Sequence, residues 1–155
     1  MKKLVIVAAL VAAALLGSAS AARGEVLANV SDDVSGDVLV DCAGGELVAF
    51  AGTVHTVTAL TSNDNGTMWL TRSQPQGLRG VGLTSGSVWQ GVGVTITHTH
   101  TRTATDASEF TFVNVFRFVG RAGQPTLSLH ETLHVVQTAT GAVSVSRDAL
   151  RLTCD

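Results

Sequence analysis

The stretch VGVTITHTHTR, from Val92 to Arg102, decides the fold class of this chain. Threonines occupy every second position of its later part, and successive side chains of a β-strand point to opposite faces of a sheet. One face of the predicted strand therefore takes the threonines, and the other takes Val94, Ile96, His98 and His100. We expect the face with the aliphatic residues to point to the core and the threonine face to point to solvent.

Similar strand patterns, separated by turn-forming residues, recur on both sides of this stretch. The predicted strands are residues 37–42, 46–60, 67–73, 87–103, 109–119, 126–138 and 143–154. Gly52 indicates a bulge or a bend in the second strand, and the glycine-rich residues 74–86 predict a long loop. No segment has a helical apolar stripe, and short turns connect the strands. The chain is therefore predicted to be all-β, an antiparallel up-and-down β-barrel, with a β-sandwich as the alternative.

The N-terminal residues differ in kind from the rest of the chain. Lys2 and Lys3 precede an apolar run at residues 4–16, and small residues follow it. This order is typical of a secretory signal peptide, and the run is too short to cross a bilayer as a helix. We predict a signal peptide at residues 1–21, a flexible lead-in at 22–36 and a single β-barrel domain at 37–155. The predicted location is secreted or periplasmic, without a transmembrane anchor after cleavage.

Two cysteines, Cys42 and Cys154, are the only ones in the chain. In an oxidising compartment such a pair forms a disulfide, which here would join the first predicted strand to the last. The formal net charge is -2, and the only lysines lie in the predicted signal peptide. A mature domain that is acidic and has no lysine does not suit nucleic-acid binding or Schiff-base chemistry.

His98 and His100 are the candidate metal ligands. Side chains two positions apart on a strand lie about 7 Å apart at Cα, close enough to bind one ion. Zinc or another divalent metal needs at least a third ligand, for which His55 and Glu131 are the candidates. The alternative is that both histidines are hydrogen-bonded or solvated near a barrel mouth, and that the protein has no cofactor.

Residues 130–134, His-Glu-Thr-Leu-His, match the motif of zinc metalloproteases. That motif requires a helix, which brings both histidines to one ion. The alternating leucines around it predict a strand instead, on which His130 and His134 would lie about 13 Å apart. Ser128 and Glu131 resemble a capping box, so a short helix is the alternative.

Phenylalanines dominate one face of the strand predicted at residues 109–119. Such a face indicates a core, although eight-stranded barrels can also enclose a small apolar ligand. The candidate residues for a ligand cavity are Phe112, Asn114 and Phe116.

Four features carry a resemblance to known proteins: the Cys42 strand followed by Gly44-Gly45-Glu46, a valine-rich strand with His55, a glycine-rich central segment, and a TGAVSV hairpin before Cys154. In these features the chain resembles small exported bacterial β-barrel proteins of uncharacterised function, similar in outline to lipocalin-like and dirigent-like barrels. The resemblance implies a barrel and a bound ligand, and it assigns no catalytic residue.

These observations favour a secreted, non-enzymatic protein that binds a small apolar ligand or acts as an extracellular interaction module. The alternative is a metal-dependent enzyme with a His-x-His strand site at His98 and His100. The sequence leaves the ligand and the oligomeric state open.

Overall fold

The computed structural model describes residues 23–155, which form one sheet and one short 3-10 helix. The strands are β1 (Arg23–Val40), β2 (Glu46–Asn63), β3 (Gly66–Gly82), β4 (Val88–Arg102), β5 (Ser108–Gly120), β6 (Leu127–Gln137) and β7 (Val143–Cys154), and the helix η1 is Asp41–Ala43. Neighbours in the sheet are antiparallel and follow chain order. The predicted all-β, up-and-down architecture is confirmed, while the predicted signal peptide lies outside the described residues.

The two edges of the sheet, β1 and β7, meet at one end of the molecule. No ladder joins these strands in residues 23–155, so the described sheet is open. Cys42, just after β1, and Cys154, the last residue of β7, form a disulfide with a Cα–Cα distance of 5.5 Å, as predicted. We call the half of the sheet near this bond the disulfide end, and the half near the turns at residues 64–65, 103–107 and 138–142 the open end.

The buried core lies at the disulfide end and on one face of the sheet, which we call the inner face. Trp89 is fully buried there, and its indole nitrogen donates a hydrogen bond to the backbone oxygen of Pro125 at 3.2 Å. That bond satisfies the only polar atom of the largest core side chain. The other buried hydrophobic residues are Val40, Val48, Leu78, Phe118 and Leu127.

The predicted loop at residues 74–86 is instead mostly strand, because β3 continues to Gly82. A bulge interrupts its pairing with β4 between Ser73 and Arg79, and Gly77 adopts a φ of +68° there. Glycine takes this conformation without steric cost, whereas other residues are strained in it. The bulge adds one residue to β3 relative to β4, which reverses the order in which later side chains alternate between the two faces. Ser73 and the buried Leu78 therefore both lie on the inner face. The bulge predicted at Gly52 lies in the partner strand, because Ala51 pairs with Arg79 and Thr53 with Gln76, so that the extra residue belongs to β3 and not to β2.

The lead-in predicted as flexible at residues 22–36 instead forms most of β1 from residue 23 onward. The pairing with β2 runs from Arg23 opposite Ser62 to Gly36 opposite Phe50. An edge strand gains its backbone hydrogen bonds from one neighbour and needs no apolar face of its own. Its polar side chains remain at the surface, which explains why the sequence pattern of β1 is weak.

Candidate functional site

The strand β4 carries its histidines on the outer face, opposite the core. Its register with β5 is continuous from Trp89 to Thr101, so residues that alternate with Trp89 keep their faces along the whole strand. Thr97 therefore shares the inner face with Trp89, and His98 points the other way. The prediction that the histidines face the core is wrong. The buried face is the one that carries large aromatic side chains such as Trp89 and Phe118, not the one that carries the aliphatic residues of β4.

A groove of about 610 Å³ lies on this outer face at the open end, and we call it the outer groove. Its apolar wall consists of Met68, Ile96 and Val113, one residue from each of three neighbouring strands. The remaining lining residues are small or polar, namely Thr61, Asn63, Gly66, His98, His100, Glu109 and Thr111. The outer groove thus combines an apolar wall with hydrogen-bonding groups, on strands whose positions the sheet defines.

A polar network closes the β5–β6 side of the outer groove. The Thr111 hydroxyl and Nδ1 of His134 share a hydrogen bond of 2.8 Å. Nε2 of the same histidine lies 3.4 Å from the Glu109 carboxylate, and the Arg102 guanidinium lies 4.0 Å from it. Arg102 and Glu109 are largely exposed, so their attraction is weak in water. The network therefore orients Glu109 and His134 more than it stabilises the fold.

The predicted metal ligands His98 and His100 share one face, but no third ligand joins them. Among residues 23–155, no group of three or more His, Cys, Asp or Glu side chains is placed to hold a metal ion. Glu131 lies on the inner face, opposite the histidines. His55 lies on β2, and its Nε2 is 2.6 Å from the side-chain oxygen of Asn29. A metal site at His98 and His100 remains a prediction.

The metalloprotease-like segment is part of the strand β6. His130 pairs with Val115 and His134 with Thr111, which places both histidines on the outer face. Glu131 pairs with Asn114 on the inner face. The predicted strand is confirmed, and the short helix is wrong. Because Glu131 points away from both histidines, this segment has no zincin geometry.

The predicted cavity residues Phe112, Asn114 and Phe116 share the inner face and do not line the outer groove. Phe116 packs against the core, with its ring centroid 4.9 Å from that of Phe118. The side-chain oxygen of Asn114 accepts a hydrogen bond of 3.0 Å from the Thr95 hydroxyl. These residues therefore continue the inner wall of the sheet.

A second groove, of about 660 Å³, lies at the disulfide end beside the bulge of β3. Long polar side chains line much of it, and the Arg121 guanidinium donates to the Gln90 side-chain oxygen at 3.1 Å. Its surface is more polar than that of the outer groove. It suits an apolar ligand less well.

Of the residues that line the outer groove, the sequence analysis singled out only His98 and His100, and it missed the apolar wall as well as Glu109 and Thr111. Glu109 and Thr111 alternate with the phenylalanines of β5, so their shared face was readable from the sequence. Their position beside His98 and His100 depends on the register across the turn at residues 103–107, which the sequence does not specify.

No protein family, curated protein or solved structure matches the chain. In the part of the chain that the structure describes, no helix is long and apolar enough to cross a membrane. The geometry of the outer groove is therefore the basis for a functional assignment.

Proposed function

We propose that the chain is a secreted, non-enzymatic protein that binds a small, largely apolar ligand in the outer groove. One observation carries this proposal: a groove of about 610 Å³ combines the apolar wall of Met68, Ile96 and Val113 with polar groups around it. Small-molecule sites have this size and this composition. Hydrogen-bonded strands hold the groove in place, so binding does not have to order a mobile loop.

The lining residues define the chemistry of the ligand. Its apolar part contacts the wall, where the unbranched thioether of Met68 adapts to different shapes. A polar end, such as a hydroxyl or a carbonyl, hydrogen-bonds to Asn63, His98 or His100. The groove contains one carboxylate, Glu109, and its neighbour Arg102 offsets that charge. A strongly charged ligand is therefore not required.

Export and barrel closure belong to the same proposal. Disulfides persist in oxidising compartments, so the bond between Cys42 and Cys154 supports secretion. The edges β1 and β7 run in the same direction, since the strands alternate between them, and the disulfide holds their C-terminal ends together. Parallel pairing of these edges near the disulfide would close that half of the sheet into a barrel and cover the exposed edges there, while the open end keeps both of its faces accessible.

The proposal can be tested by NMR on the single methionine of the described region. The chain contains two methionines, Met1 and Met68, so selective ¹³C-methyl labelling gives at most two signals, and Met68→Leu assigns one of them. The probes are small apolar alcohols and acids, from 2-naphthol and indole to decanoic acid. At least one probe is expected to shift the Met68 signal saturably.

Two variants on the outer face of β5 provide a matched comparison. Val113 lines the outer groove, whereas Val119 is 36% exposed on the same face at the disulfide end. Val113→Ser should weaken binding about tenfold, because it removes apolar contact area, and Val119→Ser should leave binding unchanged. Equal effects of the two variants, or no saturable shift with any probe, would contradict the proposal.

The second candidate function is a metal-dependent enzyme. The observation that favours it is the position of His98 and His100 on one face, beside Glu109. This candidate requires stoichiometric binding of Zn²⁺ that the double variant His98→Ala/His100→Ala abolishes. Calorimetric titration with Zn²⁺ measures this directly, and the absence of binding removes the enzyme from consideration.

A further inference from the structure

The inner face at the open end carries a regular array of hydroxyl groups. The strands β2, β3 and β4 each contribute four positions, and the ladder pairing aligns these positions in rows across the strands. Every position except Leu60 and Trp69 bears a hydroxyl, and we call the array the hydroxyl grid. Its rows are Thr56, Ser73 and Thr95; Thr58, Thr71 and Thr97; Leu60, Trp69 and Thr99; and Ser62, Thr67 and Thr101.

Hydrogen bonds orient part of the hydroxyl grid. The hydroxyls of Thr56 and Ser73 lie 2.9 Å apart, and those of Thr58 and Thr71 lie 3.1 Å apart. On β4, Thr97 and Thr99 form no side-chain hydrogen bond with other described residues. Cross-strand threonine pairs stabilise a sheet by themselves. That role accounts for the pairs on β2 and β3 but not for the hydroxyls of Thr97 and Thr99 on β4.

Trp69 is the second independent feature of this face. It is 43% exposed within the hydroxyl grid, whereas Trp89 is fully buried in the core. Its neighbours across the strands are Leu60 and Thr99. An exposed indole contributes little to the core of the sheet and is enriched where one protein surface recognises another molecule. The tryptophan therefore marks the hydroxyl grid as a recognition surface.

The charge of this face selects the class of ligand. None of the grid positions is charged, and the arginines of β3 and β4 lie on the outer face. The charged residues beside the grid on β1, Arg23 opposite Ser62 and Glu25 opposite Leu60, have opposite signs. The Thr95 row continues on β5 with the amide of Asn114 and ends on β6 with the carboxylate of Glu131. Neutral donors and acceptors beside an aromatic ring match a pyranose, which presents a face of C–H bonds and a rim of hydroxyls. We infer that the hydroxyl grid binds a neutral saccharide chain, with one sugar ring stacked on Trp69.

Ordered water is the other ligand that a threonine array could match, and the geometry disfavours it. A lattice of water needs a flat, uninterrupted surface. Leu60 and Trp69 interrupt the hydroxyl grid, and antiparallel sheets twist from strand to strand. A sugar ring contacts only a few positions and tolerates both features.

Tryptophan fluorescence of the full chain tests the inference. Acrylamide should quench the exposed Trp69 and leave the buried Trp89 largely unaffected. The probes are the neutral oligosaccharides of cellulose, amylose, mannan, xylan, β-1,3-glucan and chitin. At least one should bind saturably and protect Trp69 from quenching. No binding across this panel, by fluorescence and by calorimetry, would overturn the inference.

Substitutions in the hydroxyl grid locate the site. Calorimetry should show that Trp69→Ala lowers the association constant at least tenfold and that Trp69→Phe, which keeps an aromatic ring, recovers part of the loss. Thr97→Val keeps the shape of the side chain and removes its hydroxyl, so a loss of about threefold or more is expected. Circular dichroism verifies that each variant remains folded. Unchanged affinity in Trp69→Ala and Thr97→Val would place the saccharide elsewhere and overturn the inference.

The adjacent residue Met68 is the matched control, because it lies on the opposite face in the outer groove. Met68→Ala should leave saccharide binding unchanged, and Trp69→Ala should leave the apolar ligand bound. Thermal hysteresis on freezing without saccharide binding would overturn the inference in favour of ordered water. Protection of Trp69 that rises with protein concentration alone would overturn it in favour of a second copy of the chain. Neither result would affect the proposed function.

Discussion

The strand β5 crosses both halves of the sheet and shows how differently they are built. Phe118, at the disulfide end, is 6% exposed, whereas Phe112, on the same face at the open end, is only half-buried. Burial of apolar area is the main favourable contribution to folding. The disulfide end therefore stabilises the fold, and the open end leaves both faces accessible to ligands. One repeated side-chain pattern therefore forms a core in one half of a strand and a half-buried surface in the other.

The largest effect expected from this difference is the loss of the disulfide. The double variant Cys42→Ala/Cys154→Ala should lower the free energy of unfolding by about 4 kcal/mol, because the bond closes a loop with a sequence separation of 112. Urea unfolding measures the change. Wild-type protein in dithiothreitol is the control and should behave like the variant, while dithiothreitol should not affect the variant itself. Equal stability with and without the bond would show that the core alone holds the edges together.

The next largest effect is the loss of stability when a phenylalanine of β5 is truncated, which should differ between the two halves of the strand. Phe118→Ala should destabilise the protein by about 3 to 5 kcal/mol, since it leaves a cavity among buried residues. Phe112→Ala should cost about 1 kcal/mol, because a half-buried ring loses less contact area. Urea unfolding midpoints of the two variants provide the measurement. Similar losses in both would mean that the open end also contains a packed core in solution.

The smallest effect concerns Glu46, which organises the turn at the disulfide end. The backbone N–H groups of Ser85 and Thr84 donate to its carboxylate at 2.7 and 3.2 Å, and the Ser85 hydroxyl donates at 2.9 Å. These bonds, above all the one from the Ser85 backbone, hold the pKa of Glu46 below its ordinary value.

The pH dependence follows from the direction of that shift. In the acid range the unfolded chain binds a proton at Glu46 more readily than the folded chain does. The stabilisation is therefore present above about pH 4.3, the pKa of an ordinary glutamate, and is lost as the pH falls through the lower folded value. NMR titration of the carboxyl carbon should show the lowered pKa, and Glu46→Gln should be less stable than wild type at pH 7. A normal pKa would contradict this role.

Alternation of residue types predicted most of the strands but not the orientation of their faces. Because β4 alternates threonines with valines, isoleucine and histidines, its strand character was evident. The same alternation is compatible with either face being buried, and in the structure the buried face is the one that carries Trp89. The bulge at Gly77 and the pairing of β1 escaped prediction, because both depend on the neighbouring strand rather than on local sequence.

By itself, the sequence determined that the chain is a β-protein, because the alternation that predicts strands is a local pattern. It also determined that Cys42 pairs with Cys154, because two cysteines allow only one pairing. Only the tertiary structure decided which residues meet on each face. The register brings Met68 beside His100 in the outer groove and aligns the threonines of three strands into the hydroxyl grid. Register arises from pairing between residues distant in the chain, and a shift of one residue would exchange the two faces of a strand.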